Sequence, residues 1–446
     1  MSKEKLYFPV ENPTNPFWLS EPSEIHNFRS SSELPEEVDV VVIGGGYAGS
    51  STSYFALKDN PFAPKILLLE ARSICSGATG RNGGHLKPDY YSQYLEFVEK
   101  YGYREAAEII NFEAAHIEEM KSIVESEGID CDYVLTRACE VDYSNNHQIE
   151  ENYYAMQKNP WVKDKNLVQL ILGSKAAIVS KCEGIDCCIT YPACSIWPYK
   201  LVIGLLKKCL ELGLNLQANT PVTKIEQLPD GEGDGKWLIK TNRGDVITSK
   251  VVLATNAYTK ALAPEFDDKI IPTKGTVVHI VRDDSESRLP PHLPNTYVLR
   301  DGSYYDYLIN RPDGSVIVGG GDKYLYPFNP NYSDVVDDSI GFENTEKYFN
   351  NYMLEKFYTW QNYKTKIDYS WSGIMGFSND TLPYVGESLT EKNKYIIAGF
   401  HGHGMPRVLL CAKAIAECIC HNKTISETGI PESFQLNKKR MEINLI

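Results

Sequence analysis

VDVVVIGGGYAGSSTSYFALKDNPFAPKILLLE, residues 38–70, is the stretch on which the fold turns. The apolar run Val38 to Ile43 has the β-branched composition of a buried strand and feeds directly into Gly44-Gly45-Gly46-Tyr47-Ala48-Gly49, a G-x-G-x-x-G. A helical stretch follows, and a second apolar strand, Ile66 to Leu69, closes on Glu70. This is the pattern of a βαβ unit that holds a dinucleotide. Gly44 permits the sharp turn, Gly46 lets the backbone approach a pyrophosphate, and Gly49 lets the helix pack close to the strand. The helix start offers free N–H groups and the positive end of its dipole to the phosphates. Glu70 stands about 20 residues past the last glycine, where an acid can accept hydrogen bonds from both hydroxyls of an adenosine ribose. The same carboxylate repels a 2′-phosphate, which disfavours NADP.

The chain has 446 residues, enough for two or three domains, with 42% hydrophobic and 23% charged residues. A net charge of −14 argues against nucleic acid or an anionic membrane as partner. No apolar run reaches membrane-spanning length. MSKEKLYFPVENPTNPFWL, at the start, lacks a signal-peptide core, and the end, Glu442-Ile443-Asn444-Leu445-Ile446, is not a peroxisomal address. A cytoplasmic protein is expected. The 11 cysteines are odd in number and show no paired zinc spacing, even in the cluster Cys182, Cys187, Cys188 and Cys194, so they read as free thiols.

Residues 1–37, rich in Pro, Ser and Glu, read as an arm preceding the fold. Tyr91 to Glu127 has helical spacing, Asp132 to Asp142 reads as a strand, and Lys200 to Leu212 reads as a helix opened by Trp197-Pro198-Tyr199 and ended at Gly213. Trp237 to Thr241 and Val246 to Ser249 form a hairpin around Asn242-Arg243-Gly244. A separate apolar strand, Val251 to Asn256, should lie in the parallel sheet with its carboxyl end at the cofactor. From Ile271 to about Gly321 the pattern becomes antiparallel β, with a hairpin turn at Arg311-Pro312-Asp313-Gly314. Residues 322–366 read as mostly helical. A strand near Tyr395 to Ala398 and a helix from about Pro406 to Cys420 return to the first domain. The expected division is therefore residues 38–130, 186–265 and 367–446 in a discontinuous nucleotide-binding domain, and residues 131–185 and 266–366 in a substrate domain.

Four separated motifs occur in one order: the fingerprint with Glu70; Glu70-Ala71-Arg72 leading to Ser76-Gly77-Ala78-Thr79-Gly80-Arg81-Asn82-Gly83-Gly84; Gly373-Ile374-Met375-Gly376 leading to Asp380-Thr381-Leu382-Pro383-Tyr384-Val385-Gly386; and Gly399-Phe400-His401-Gly402-His403-Gly404-Met405. From about Val38 to about Cys420 the chain resembles the D-amino-acid oxidase superfamily of FAD-dependent oxidoreductases, within it most nearly the sarcosine, glycine and γ-glutamylputrescine oxidase branch. The resemblance implies an α/β fold, a Rossmann-like FAD-binding domain with an inserted antiparallel-β substrate domain of α+β type. It implies that Gly44, Gly46, Tyr47, Ala48 and Gly49 hold the pyrophosphate and that Glu70 holds the ribose, with Ala71 and Arg72 beside it. Thr79, Gly80, Arg81 and Asn82 would pass along the pyrophosphate and flavin. Val222 would read adenine, Thr255 and Asn256 would lie near the cofactor, and Gly402, His403, Gly404 and Met405 would meet the flavin edge. There a helix N-terminus, with Pro406 in its first turn, stabilises negative charge on reduced flavin.

The implied function is oxidation of a small amine or amino acid: a hydride equivalent passes to flavin N5, water hydrolyses the imine, and O2 reoxidises the flavin to give H2O2. The alternatives are a dehydrogenase using another acceptor, or a flavin-fold protein with a binding or regulatory role. No catalytic triad is expected. Tyr305 and Tyr307 alternate on one face of a strand and, with His85, are candidates for substrate contact. His401 and His403 suit flavin packing better than a metal, and no metal site is expected. Arg300 and Arg311, beside Asp-Gly turns, read as solvated surface arginines. Lys274 reads either as a charge near the flavin or as a surface lysine. Pro406 and Arg407 stand where sarcosine-oxidase relatives often carry a lysine, which weakens the case for a sarcosine-like carboxylate contact. Cys411 falls inside the last helix, so non-covalent FAD is expected.

Overall fold

A computed structural model describes residues 7–144, 148–229, 235–283, 285 and 289–443. The first six residues of the arm, residues 145–147 and Asn444-Leu445-Ile446 lie outside these. The strand Glu37–Ile43 runs parallel between Gly244–Leu253 and Ile66–Leu69. All three are continuous Val, Ile and Leu runs toward their ends, as strands buried on both faces must be. The register sets Ile43 beside both Leu253 and Leu69. The segments that follow, Gly44 onward, Glu70 onward and Thr255 onward, therefore emerge together at one sheet edge. Asn215–Gln217 extends the sheet beyond Ile66–Leu69, and Lys394–Ala398 with Tyr384–Glu387 extends it on the other side. Helix Tyr47–Leu57 crosses behind the glycine loop and packs on Pro198–Glu211 and Val408–His421.

Gly244–Leu253 is one ten-residue strand, not the two expected. Gly244 to Thr248 pairs antiparallel with Trp237–Thr241, while Ile247 to Leu253 follows Glu37–Ile43 in parallel. Polar Ser249 and Lys250 interrupt the apolar run in the sequence without interrupting the ladder.

The second sheet has the order Thr365–Ser378, Ile270–Arg282, Val316–Gly319, Tyr304–Asn310, Thr296–Asp301, Val134–Asp142, Cys187–Ser195, His85–Leu86, with Gln169–Leu172 also on Cys187–Ser195. It is antiparallel except where Thr296–Asp301 meets Val134–Asp142. Three strands assigned by sequence to the nucleotide-binding part pair here instead, the short His85–Leu86 among them. Cys187–Ser195 is apolar on both faces, so its pattern matches a parallel-sheet strand equally well. Thr365–Ser378 carries Gly373 and Gly376, which obscure its alternation, yet it pairs along the full length of Ile270–Arg282.

Residues 322–366 are not mostly helical. Helices Asp322–Leu325, Thr345–Phe349 and Tyr352–Lys356 are short, and Pro327, Pro330 and several Asn and Asp residues keep the chain between them irregular. The arm does not precede the fold either. Trp18 is fully buried, donates from Nε1 to the Asn82 carbonyl at 2.6 Å, and accepts from Trp197 Nε1 at 2.7 Å. The apolar triplet Phe17-Trp18-Leu19 anchors an otherwise polar segment.

Candidate active site

The sheet edge where the glycine loop emerges opens into a cavity of about 700 Å³ that continues to the second sheet. Gly44 has φ +114°, and a Cβ there would stand 2.5 Å from the Ala254 carbonyl oxygen, so only glycine fits. Gly46 starts helix Tyr47–Leu57 with no side chain capping it. A Cβ on Gly46 would meet only the Thr79 side chain, at 3.1 Å, leaving the loop open to the cavity. Gly49 faces away: its Cβ would lie 1.9 Å from the Gly44 carbonyl. It packs the helix and does not line the cavity, and the same is true of Gly80, whose Cβ would overlap the Cys75 carbonyl at 2.0 Å.

Glu70 lines the cavity and is fixed from both sides. Its Oε2 accepts from Gly45 N at 2.7 Å and its Oε1 from Arg72 N at 2.9 Å. A carboxylate offers about four acceptor directions, so two remain for a ribose. Tyr47, Ala48, Ala71, Val222 and Thr255 line the same end, and Thr79 accepts from Tyr47 N through Oγ1 at 3.0 Å. The Tyr47 hydroxyl is buried without a hydrogen-bond partner among the described residues. An open glycine cradle, a helix start whose N-cap carries no side chain and an oriented acid together fit an ADP group.

Arg72 and Arg81 line the cavity, but their guanidinium groups are spent on protein. Arg72 clasps Asp338 with both nitrogens, at 3.0 and 3.1 Å. Arg81 donates to the carbonyls of Ser76, Thr14 and Ser372 and lies 3.3 Å from the same Asp338. These arginines brace the loop.

Midway, Asn82 offers its side chain to Gly84 N at 2.7 Å and to Met405 Sδ at 3.4 Å. Asn256, which opens the short 3-10 helix Asn256–Ala261 after strand Gly244–Leu253, accepts from Gly399 N and Phe400 N at 3.0 and 3.2 Å. It thereby fixes the turn that carries Gly402, His403, Gly404 and Met405, all on the cavity wall. His403 donates from Nε2 to Glu113 at 2.8 Å, and Arg407 donates to the other oxygen of Glu113 at 2.7 Å. Burial pushes Glu113 up, but Arg407 and His403 outweigh it and hold the carboxyl down to about 2.

At the far end Tyr305 and Tyr307 face the cavity from one side of their strand, and Asp306 points the other way, to Gly321 N and the hydroxyls of Tyr348 and Tyr352. Tyr307 lies flat over Gly83 and Gly319, where a Cβ would come within 2.3 and 2.2 Å of its ring. His85 lines the wall, shares Nε2 with Thr296 Oγ1 at 2.8 Å, and is pushed by burial down to about 3.

Arg300 is not a surface arginine. It lines the cavity beside the Tyr305 ring and pairs with Glu140, which is fully buried. Lys87 joins them, 3.1 Å from the Tyr191 hydroxyl and 3.8 Å from Glu140. Arg311 is not solvated either: it packs against Phe17, Trp18 and Trp197 and pairs with Asp132 at 2.9 Å, away from the cavity. Lys274 is buried and donates to the Ile340 carbonyl at 3.1 Å, so it is not a surface lysine. Glu113 was the residue the sequence could have yielded, since it interrupts the apolar stripe of Ile109, Ile110, Ile117 and Met120. Asp338 and Glu140 gave no such signal. Among the described residues no cluster of His, Cys, Asp and Glu could hold a metal ion.

The model of the DAO family, described as FAD dependent oxidoreductase, matches residues 39–418. The γ-glutamylputrescine oxidoreductase of Escherichia coli is 27% identical over 392 residues, covering 85% of this chain and 83% of that protein. The glycine oxidase of Bacillus subtilis is 23% identical over 422 residues, covering 91% of this chain and 99% of that protein. The crystal structure of glycine oxidase from Geobacillus kaustophilus shares the fold, with a TM-score of 0.70 at 18% identity over 91% of this chain and 99% of that one. With the match spanning both sheets and the cavity between them, the chain belongs to the DAO family of FAD-dependent oxidoreductases.

Proposed function

We propose that the chain oxidises a small amine or amino acid at its C–N bond. The observation that carries this reading is the single cavity, with Gly44 to Ala48 and Glu70 at one end and Tyr305, Tyr307, Lys87 and Arg300 at the other. In it the backbone around Gly46 and the start of helix Tyr47–Leu57 would hold the pyrophosphate, Glu70 the ribose, Val222 the adenine, and Asn82 with Gly402 to Met405 the flavin edge. Bound FAD would supply the two-electron acceptor for the C–H bond beside nitrogen, leaving an imine for water to hydrolyse. Tyr305 and Tyr307 would wall the substrate, and Lys87 and Arg300 would orient a polar tail. The relatives named for glycine and γ-glutamylputrescine support this substrate class. We assign the first sheet with its helices to the cofactor and the second to the substrate. No cysteine lines the cavity among the described residues, which supports FAD held without a covalent bond. A reducing cytoplasm suits the free cysteines.

The test is anaerobic bleaching of the FAD-loaded protein near about 450 nm by a panel of N-methyl amino acids, D-amino acids and polyamine derivatives. Bleaching followed by peroxide release in air supports an oxidase. Bleaching without peroxide, reversed by an artificial acceptor, makes it a dehydrogenase. A yellow protein that no amine bleaches refutes the proposal in favour of a binding role. Acid precipitation should release the flavin; flavin retained on the chain would refute the non-covalent reading.

A further inference from the structure

Three histidines border the cavity, and they differ in what holds them. His85 is half-buried, shares its Nε2 with the Thr296 hydroxyl and is pushed down to about 3, chiefly by desolvation. His401 has Nδ1 on the Ser378 carbonyl at 3.0 Å, packs against Phe377, and is pushed down to about 4, first by burial and then by Arg407. Both are held neutral and make poor proton acceptors. His403 alone has a carboxylate behind it: Nε2 lies 2.8 Å from Oε2 of Glu113, whose side chain is fully buried while a quarter of the His403 side chain remains exposed.

Glu113 is a fixed anion. It comes from the middle of helix Tyr94–Glu127, takes Arg407 Nε on its other oxygen at 2.7 Å and Asp89 N at 2.7 Å. An ionised carboxylate only accepts, so Nε2 must carry its proton and the neutral ring presents Nδ1 as the acceptor. No described residue hydrogen-bonds Nδ1. The turn sets the ring's direction, since His403 N donates to the Phe400 carbonyl at 2.8 Å and Asn256 fixes Phe400. Among the described residues, Glu113 from the helix, His85 from the strand opposite and His401 from its own segment interact with His403, and Arg407 shares Glu113 with it.

We infer that His403 is the base that takes the proton from the substrate's ammonium group, with Glu113 as the residue that positions it. This rests on the amine-oxidation reading of the cavity. An ammonium nitrogen has no lone pair to support loss of hydride from the neighbouring carbon, so a proton must leave first. The ammonium N–H bond breaks and the Nδ1–H bond forms. The resulting imidazolium lies against the Glu113 carboxylate, which offsets its charge. Bound FAD, held by the glycine loop and Glu70, would supply the acceptor for the hydride equivalent from the neutral amine's C–H bond, which would leave an iminium ion. The imidazolium returns its proton to solvent.

The test has two arms. In the first, the anaerobic rate constant for flavin reduction divided by substrate Kd is followed from pH 6 to 10 for the wild type, His403→Asn and Glu113→Gln (the range is set at about four units to span both amine and imidazole). The wild type is expected to show an ascending limb set by the enzyme. In His403→Asn that limb should move to the pH at which the free substrate itself loses its proton, with a loss of about 10²–10⁴-fold at neutral pH. In the second, long-range 1H–15N spectra of the 15N-histidine-labelled holoenzyme, assigned with His403→Asn, should show His403 protonated at Nε2 and bare at Nδ1. Glu113→Gln should disturb that tautomer. An unchanged pH profile in His403→Asn, or a proton on Nδ1 of the neutral ring, overturns the inference while leaving amine oxidation standing. Failure of every amine to reduce the wild-type flavin removes the parent reading, and this one with it.

Discussion

Replacing Asp338 with Asn should be the most damaging conservative change near the cofactor end of the cavity. Asp338 is fully buried and closes on three remote segments: Arg72, Arg81 and, through its carbonyl, Thr14 N at 2.8 Å. An amide keeps the shape and one acceptor but removes the only carboxylate within 4.0 Å of either guanidinium among the described residues. Removing one partner of a buried ion pair costs about 3–5 kcal/mol, because the remaining charge stays desolvated. Total stabilities are about 5–15 kcal/mol, so the loss is a large share. Asp337→Asn is the control. Asp337 is only partly buried and accepts from Ser339 alone, so its loss should cost about 1 kcal/mol. The assay is urea unfolding at one fixed FAD concentration, since bound cofactor itself adds stability by mass action. The midpoint should fall with the slope unchanged. Because Arg72 N also holds Glu70 Oε1, FAD should bind about tenfold more weakly, a cost of about 1.4 kcal/mol. If Asp338→Asn unfolds within about 1 kcal/mol of Asp337→Asn, the bracing role of the cluster is wrong.

The fingerprint glycines should separate by function. Gly46→Ala crowds only Thr79 and should lower FAD affinity with little change in apoprotein stability, whereas Gly49→Ala overlaps the Gly44 carbonyl and should lower stability by several kcal/mol, both read by FAD titration and unfolding of the apoprotein. Trp18→Ala should cost about 3–5 kcal/mol, since the side chain is fully buried, and a small shift of the unfolding midpoint would show that the arm is dispensable. Asp322, on the cavity wall, is pushed by burial up to about 6, so the folded state holds its proton more tightly than the unfolded one. Stability should therefore fall as pH rises from about 4 through about 6 and stay lower above it. Asp322→Asn should raise the melting temperature at pH 8, by a term on the order of 2 kcal/mol at most, and leave it unchanged near pH 4; equal effects at both would refute the assignment.

The parts of the cavity legible in the sequence are those whose chemistry is local. Gly44, Gly46 and Glu70 can be read because a strand, a turn, a helix start and an acid follow one another within 33 residues. Tyr305 and Tyr307 can be read because alternation along one strand puts them on one face, and the cavity has both. What fails is whatever depends on a partner far along the chain. Arg300 precedes Asp301-Gly302, and next to such a turn a solvated arginine is the reasonable expectation. The parallel pairing of Thr296–Asp301 with Val134–Asp142 sets Val298 beside Glu140, and Arg300 then lies one pleat further along the same face, against a carboxylate buried beneath it. Arg81 sits in the glycine motif and reads as a phosphate ligand, until Thr14, Ser372 and Asp338 arrive from the two ends of the chain and take its donors. The two arginines exchange their expected roles for the same reason. A guanidinium has no orientation of its own, and a buried one goes where its carboxylate lies. The motif is therefore legible through backbone and glycine, while the charged residues around it are set by tertiary pairing. On the proposed reading, the orientation of a substrate's polar tail should accordingly follow Glu140, the buried anion that aims Arg300, and its deprotonation should follow Glu113, the buried anion behind His403, more closely than either follows the four motifs.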